Sequence, residues 1–251
     1  MKKRLLLIVM VFLQVSITAM SQKVLRYNAD KKQVNITTID GTLTIIPLTD
    51  NAVRMIFSKQ VYRVMPELVY VENLKNPTFN VKENNDKVSI CLKNMTIAVD
   101  RNTGLVVYLD KNGKQILAEN GRSLVHSFVG NEKTYIAEQH FASPSNEHQY
   151  GLGQFQDGYL DVRGLSRRLT QVNTQISIPM ILSNKGYGLL WNNYGLVDFN
   201  PSDNNVTLKK NAEGGDVTEV NVTTTAGNKK ERRESNVFEA DVNIDKEGDY
   251  S

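Results

Sequence analysis

Apolar and polar residues alternate with a period of two in many short runs along the chain. Val34-Asn35-Ile36-Thr37 leads to the turn residues Asp40-Gly41, and apolar-rich runs follow over 43–48 and 53–57. Others cover 88–92, 95–99 and 106–109, separated by Lys93-Asn94 and Asn102-Thr103-Gly104 and closed by Lys111-Asn112-Gly113. Alternation at this period puts one face of a strand in a core and the other in water. Asn112-Gly113 beside such runs is a hairpin signal, because both residues tolerate positive φ. The stretch 65–73 is the one region readable as helix. No amphipathic helix of useful length and no fixed-period repeat is present. Many short strands at roughly 8–12-residue spacing predict an all-β fold, a β-sandwich.

The pattern weakens after Asn120. Between 121 and 168 the chain is richer in Gly, Ser, His, Gln and Arg, and strands are hard to place. Strand signals return over 175–182, 189–191, 206–208 and 217–225. The run Lys229-Lys230-Glu231-Arg232-Arg233-Glu234-Ser235 mixes both signs and reads as a solvated connection. Beyond it, 237–244 alternates like an opening strand. The expected organisation is a signal peptide over 1–21, a sandwich over 22–228, a charged linker over 229–236 and the start of a further β domain over 237–251.

The leader carries the address. Lys2-Lys3-Arg4 precedes an apolar run over 5–13, and Ala19-Met20-Ser21 offers small residues to a signal peptidase that would cut before Gln22. The apolar run is short for a permanent span, so the expected location is periplasmic or secreted, with no membrane span after cleavage. The one cysteine, Cys91, is too far from the cut to carry a lipid and has no partner for a disulfide. It alternates with Val88 and Ile90, as a buried structural thiol does. Asn35, Asn94, Asn205 and Asn221 head glycosylation sequons that matter only in a glycosylating host.

With 40% apolar and 23% charged residues among 251, the chain is neither disordered nor of low complexity. Removing Lys2, Lys3 and Arg4 with the leader leaves 27 basic residues against 27 acidic. Such a balance gives a nucleic-acid partner no electrostatic support.

Candidate chemistry narrows quickly. His126, His140 and His148 lack metal-ligand spacing and there is no cysteine cluster, so no metal is expected. No Gly-x-Ser-x-Gly elbow occurs, and Gly151-x-Gly153 lacks the third glycine of a dinucleotide cradle; no cofactor is expected. Sugar hydrolysis needs two carboxylates. Asp157, Asp161 and Glu147 are candidates, but solvated loop carboxylates explain them as well. The segment Tyr150-Gly151-Leu152-Gly153-Gln154-Phe155-Gln156-Asp157-Gly158 is richer, with an aromatic ring among amides and a carboxylate. Sugars are bound by aromatic faces and planar polar groups. Gln154, Phe155, Gln156 and Asp157 are therefore the candidate substrate-binding residues; the alternative is a glycine-rich corner whose rings pack inward.

Four ordered motifs carry a resemblance. Glu147-His148-Gln149-Tyr150-Gly151-Leu152-Gly153, Gln171-Val172-Asn173-Thr174, Ile178-Pro179-Met180-Ile181-Leu182-Ser183 and Gly186-Tyr187-Gly188-Leu189-Leu190-Trp191-Asn192-Asn193 resemble the N-terminal domain of glycoside hydrolase family 31. That family includes α-glucosidases and α-xylosidases, and its N-terminal domain is a sandwich of galactose-mutarotase-like type. The series covers 147–201; residues 23–146 match in general character. Gln154 replaces the glutamate of the family's Gly-Leu-Gly-Glu. The family's catalytic aspartate motif, Trp-x-Asp-Met-Asn-Glu, and its (β/α)8 barrel do not occur here, nor does its acid/base. The stretch 238–250 resembles the opening of a carbohydrate-binding β domain of the anthrax-protective-antigen type.

The resemblance implies the non-catalytic front of a secreted α-glycosidase, cut before its barrel, with carbohydrate and the missing barrel as partners. In that family a loop of this domain helps to wall the sugar site. A free-standing carbohydrate-binding or scaffold sandwich is the alternative. No catalytic residue is expected within these 251 residues.

Overall fold

The computed structural model describes residues 22–59, 67–69, 71, 74–193 and 195–200, together with the backbone of three later strands. The leader 1–21 and most of the stretch read as helical lie outside the described residues. Glu67, Leu68, Val69 and Val71, which are described, are not helical. Among the described residues every regular element is a strand, and the fold is an all-β sandwich.

A small sheet is formed in sequence order by β1 (Val24–Ala29), β2 (Val34–Thr38), β3 (Thr42–Thr49) and β4 (Ala52–Ser58), all antiparallel. A meander follows: β5 (Asn80–Glu83), β6 (Lys87–Cys91), β7 (Met95–Asp100), β8 (Val106–Asp110), β9 (Gln115–Val129) and β10 (Glu132–Ala142). Next come β11 (Gln149–Gln154), β12 (Arg167–Leu169), β13 (Ile176–Ser183), β14 (Tyr187–Leu190) and β15 (Val197–Phe199). The backbone strands β16 (Val206–Lys209) and β17 (Glu219–Val222) pair with each other, and β18 (Ser235–Asn243) completes the series. The large sheet runs β12-β15-β18-β10-β9-β8-β7-β6-β5, and β11-β13-β14 form a third sheet. Within 237–251, the strand that the alternation picks out is therefore β18, paired antiparallel with β10 and β15.

The core follows from the alternation. Val34, Ile36, Leu43 and Ile45 of the small sheet pack in one cluster with Val88, Ile90, Ile97, Val99 and Val106 of the large sheet. Each such side chain contributes roughly 1.5–3 kcal/mol on burial. Cys91 lies half-buried in β6, between Asn80 and Thr96 on the neighbouring strands.

The longest strands, β9 and β10, lie where the sequence pattern is weakest. Two features blur it. The register shifts between His140 and Phe141, which oppose Gly121 and Glu119. Glu119 and Arg122 are also turned away from water and pair at 2.5 Å. Glu119 accepts Gln139 Nε2 at 2.9 Å and the Val106 N–H at 3.1 Å, and the Arg122 guanidinium stands 4.9 Å over Phe57. Buried charges persist when paired and hydrogen-bonded in this way.

Candidate functional site

The site read from the sequence begins at a strained turn. Gly151, Leu152 and Gly153 have φ of 127°, 65° and 97°. A Cβ on Gly151 would lie 2.4 Å from the Met180 backbone oxygen, and one on Gly153 only 2.0 Å from that of Ile176. Both positions require glycine. Leu152 is not glycine, and its left-handed backbone costs about 1–2 kcal/mol. Its side chain is fully buried in the main core, and that burial offsets the strain. Opposite this turn β13 advances four residues, from Ser177 to Ile181, while β11 advances two.

Two clamps hold the loop that leaves β11. In the first, Arg167 places its guanidinium 4.3 Å over the Phe155 ring and binds Asp157 at 2.5 Å. The ring packs at the margin of the core, while Gln154, Gln156 and Asp157 are exposed. In the second, Asp161 accepts the backbone N–H groups of Gln149 and Arg163, each at 3.1 Å, and lies 2.9 Å from His148 Nδ1. The Val162 amide adds a bond to the Gln149 oxygen at 2.8 Å. Between the clamps Tyr159 and Leu160 stand in solvent. Sequence reasoning missed Tyr159, the most exposed ring of this loop; Gly158 immediately before it, with φ of 73°, was the available signal.

The three candidate carboxylates are committed elsewhere. Asp157 faces Arg167, and Asp161 ties the loop base to β11. Glu147 is 1% exposed and accepts Ser143 Oγ at 2.9 Å, Ser183 Oγ at 2.5 Å and Tyr187 Oη at 2.6 Å. Burial, and then the bond to Glu147 and its charge, push the Tyr187 hydroxyl well above its ordinary pKa, so it stays a donor. Arg163 donates to the Ser143 hydroxyl at 3.0 Å and backbone oxygen at 2.7 Å. This network joins β11, β13 and β14 to the loop base.

The histidines are separate. His126 stacks on Tyr135 with ring centroids 4.3 Å apart, and His140 pairs with Glu138. Among the described residues, no group of three or more His, Cys, Asp or Glu side chains is placed to hold a metal. A cavity of about 650 Å³ opens over β8–β10, with β4 and β14 on its walls, and none of residues 154–157 lines it.

Among the described residues, one face of the third sheet is half in water. Ile176, Ile178, Met180 and Leu182 project from the same side of β13 and are between 38% and 52% exposed. Leu190 of β14 stands opposite Met180.

Among the described residues the architecture is an antiparallel all-β sandwich bearing a clamped loop. The chain belongs to the glycosyl hydrolase 31 N-terminal galactose mutarotase-like domain family, whose sequence profile matches residues 42–200. It is 34% identical over 161 residues to an α-xylosidase of Saccharolobus solfataricus, across 59% of this chain and 22% of the relative. It is 49% identical over 53 residues to an uncharacterized family 31 glucosidase of Pseudescherichia vulneris, across 21% of this chain and 10% of the relative. Among solved structures it is similar to the family 31 α-xylosidase of Xanthomonas citri, with a TM-score of 0.67 and 25% identity. That match covers 74% of this chain and 22% of the other. The chain thus spans about a fifth or less of the length of these relatives.

Proposed function

We propose that this chain serves as the non-catalytic N-terminal sandwich of a secreted α-glycosidase that acts on α-linked oligosaccharides. In this reading residues 1–21 direct export and are removed, and the mature protein works in the periplasm or outside the cell. The sandwich supports a catalytic barrel, and the 154–157 loop walls the barrel's sugar site. The observation that carries the reading is the apolar face of β13. Soluble monomers rarely leave four large aliphatic side chains together in water, and the matched relatives are several times longer than this chain. The clamps add support, because a wall that positions a sugar must itself be held.

In that role Phe155 stacks on a sugar ring while Gln154, Gln156 and Asp157 exchange hydrogen bonds with hydroxyls. Arg167 fixes the ring and the carboxylate together. The test is Phe155→Ala in an enzyme that carries this domain joined to its barrel. Losing a positioning contact is expected to lower kcat/KM roughly ten- to a hundredfold, on the order of 1–3 kcal/mol, in an enzyme that still folds. Unchanged kinetics with a lowered melting temperature would make Phe155 a core residue and end the wall reading.

A further inference from the structure

Gln22 is 2% exposed. Its Nε2 donates to the Arg122 backbone oxygen at 3.2 Å, while its buried Oε1 has no hydrogen-bond partner. Gly104 closes over its backbone so tightly that a Cβ there would lie 2.3 Å from the Gln22 carbonyl oxygen. The Arg122 guanidinium donates to the Gly104 oxygen at 2.6 Å, so a cation already occupies this side, paired with Glu119. Cleavage after Ser21 makes Gln22 the first residue and turns its nitrogen into an α-amine, whose ordinary pKa is about 8. A protonated amine on a residue so withdrawn from water carries a desolvation cost.

We infer that Gln22 is a modification site: once the leader is removed, it cyclises to pyroglutamate, and the fold takes up this uncharged lactam. The inference rests on the export reading given above. The chemistry is internal to the residue. The neutral α-amine attacks Cδ of its own carboxamide, the new N–Cδ bond forms, and the Cδ–Nε2 bond breaks. Ammonia leaves with the proton that the amine gives up. No oxidant or cofactor is consumed. The lactam keeps one N–H donor and one carbonyl oxygen and has no charge. Because Nε2 is engaged in the fold, ring closure belongs to the chain before β1 docks.

The modification also protects an edge. β1 is an outer strand of the small sheet and begins at Val24, whose amide bonds to the Arg101 oxygen at 2.9 Å and whose side chain is in the core. Aminopeptidases need a free amine and would otherwise trim toward that strand.

The experiment uses the full 251-residue chain, exported with its own leader from a bacterial host. The protein is unfolded in denaturant and reductively dimethylated before digestion, so that any free α-amine is marked and cannot cyclise afterwards. The N-terminal peptide is then read by mass spectrometry. The expected peptide starts at residue 22, is lighter by one ammonia, and carries no label on its α-nitrogen. A peptide starting at Gln22 with a labelled amine overturns the inference and leaves the leader reading intact. A peptide starting elsewhere overturns both.

Discussion

Ile97 on β7 and Ile178 on β13 are the same side chain on the same kind of strand, yet Ile97 is withdrawn from water and Ile178 is half in it. Around Ile97 the alternation is satisfied within the chain, with Val88, Ile90 and Val99 beside it and Ile36 and Ile45 in the same cluster. Around Ile178 the polarity is inverted. On its inner side β13 buries Ile181 in the core and meets the Glu147 network through Ser183, and outward it presents an aliphatic row. The first region closes on itself. The second is anchored in the core by Leu152 and Ile181, adds hydrogen bonds and glycine geometry, and keeps an aliphatic row half in water.

The comparison is tested most directly by truncating the isoleucine at both positions. Ile97→Ala is expected to cost about 4 kcal/mol, as for a buried aliphatic side chain that leaves a cavity. Ile178→Ser is expected to stay within about 0.5 kcal/mol in this chain. Urea unfolding of both variants checks the pair, and a large loss from Ile178→Ser would show that the β13 face is already covered.

Next in size is the turn. Gly153→Ala is expected to cost about 3 kcal/mol, since it combines strained φ with a backbone clash. Gly113→Ala, where φ is 81° and nothing lies within 4 Å, is expected to cost only about 1 kcal/mol. Melting temperatures of the two variants separate close approach from conformational preference. Equal losses would remove the special status of the Gly151–Gly153 turn.

The smallest effect tests the self-closing region through pH. Asp110 accepts the Lys114 amide at 2.9 Å and the Asn112 amide at 2.8 Å in the turn between β8 and β9. The Lys114 bond, ahead of the opposing desolvation and the Asn112 bond, holds its carboxyl below the ordinary 3.8. A depressed folded pKa stabilises the fold above the unfolded value, and this contribution is lost as pH falls through the folded value. Unfolding midpoints measured as pH falls below about 5 are expected to decline less steeply for Asp110→Asn than for the parent. Identical slopes would show that the turn does not depend on the carboxylate charge.

Legibility in the sequence follows the same division. β2, β3, β4, β6, β7 and β8 fall where alternation places them, because each buries one face against a core made by this chain. β9 and β10 escape notice because Glu119 and Arg122 face inward as a neutral pair and the register slips beside Phe141. At the candidate site, the glycine turn is visible in Gly151-Leu152-Gly153. The cap on Phe155 is not, since Arg167 arrives from a later strand and its pairing with Asp157 leaves no local pattern. The commitment of Glu147 to three hydroxyls is hidden for the same reason: Ser143, Ser183 and Tyr187 meet only in three dimensions.

The position of β18 sets an order of assembly. The meander from β5 to β10 pairs neighbours in sequence and closes as fast as its hairpins form. β12 and β15 bond to each other, but they reach the large sheet only through β18, whose residues 235–243 lie about a hundred positions beyond their partners on β10. Until the last of these strands has emerged, that flank lacks its hydrogen-bonded link to the meander. The large sheet is therefore expected to complete its hydrogen bonding in two stages, a fast local one and a slower one that waits for residue 243.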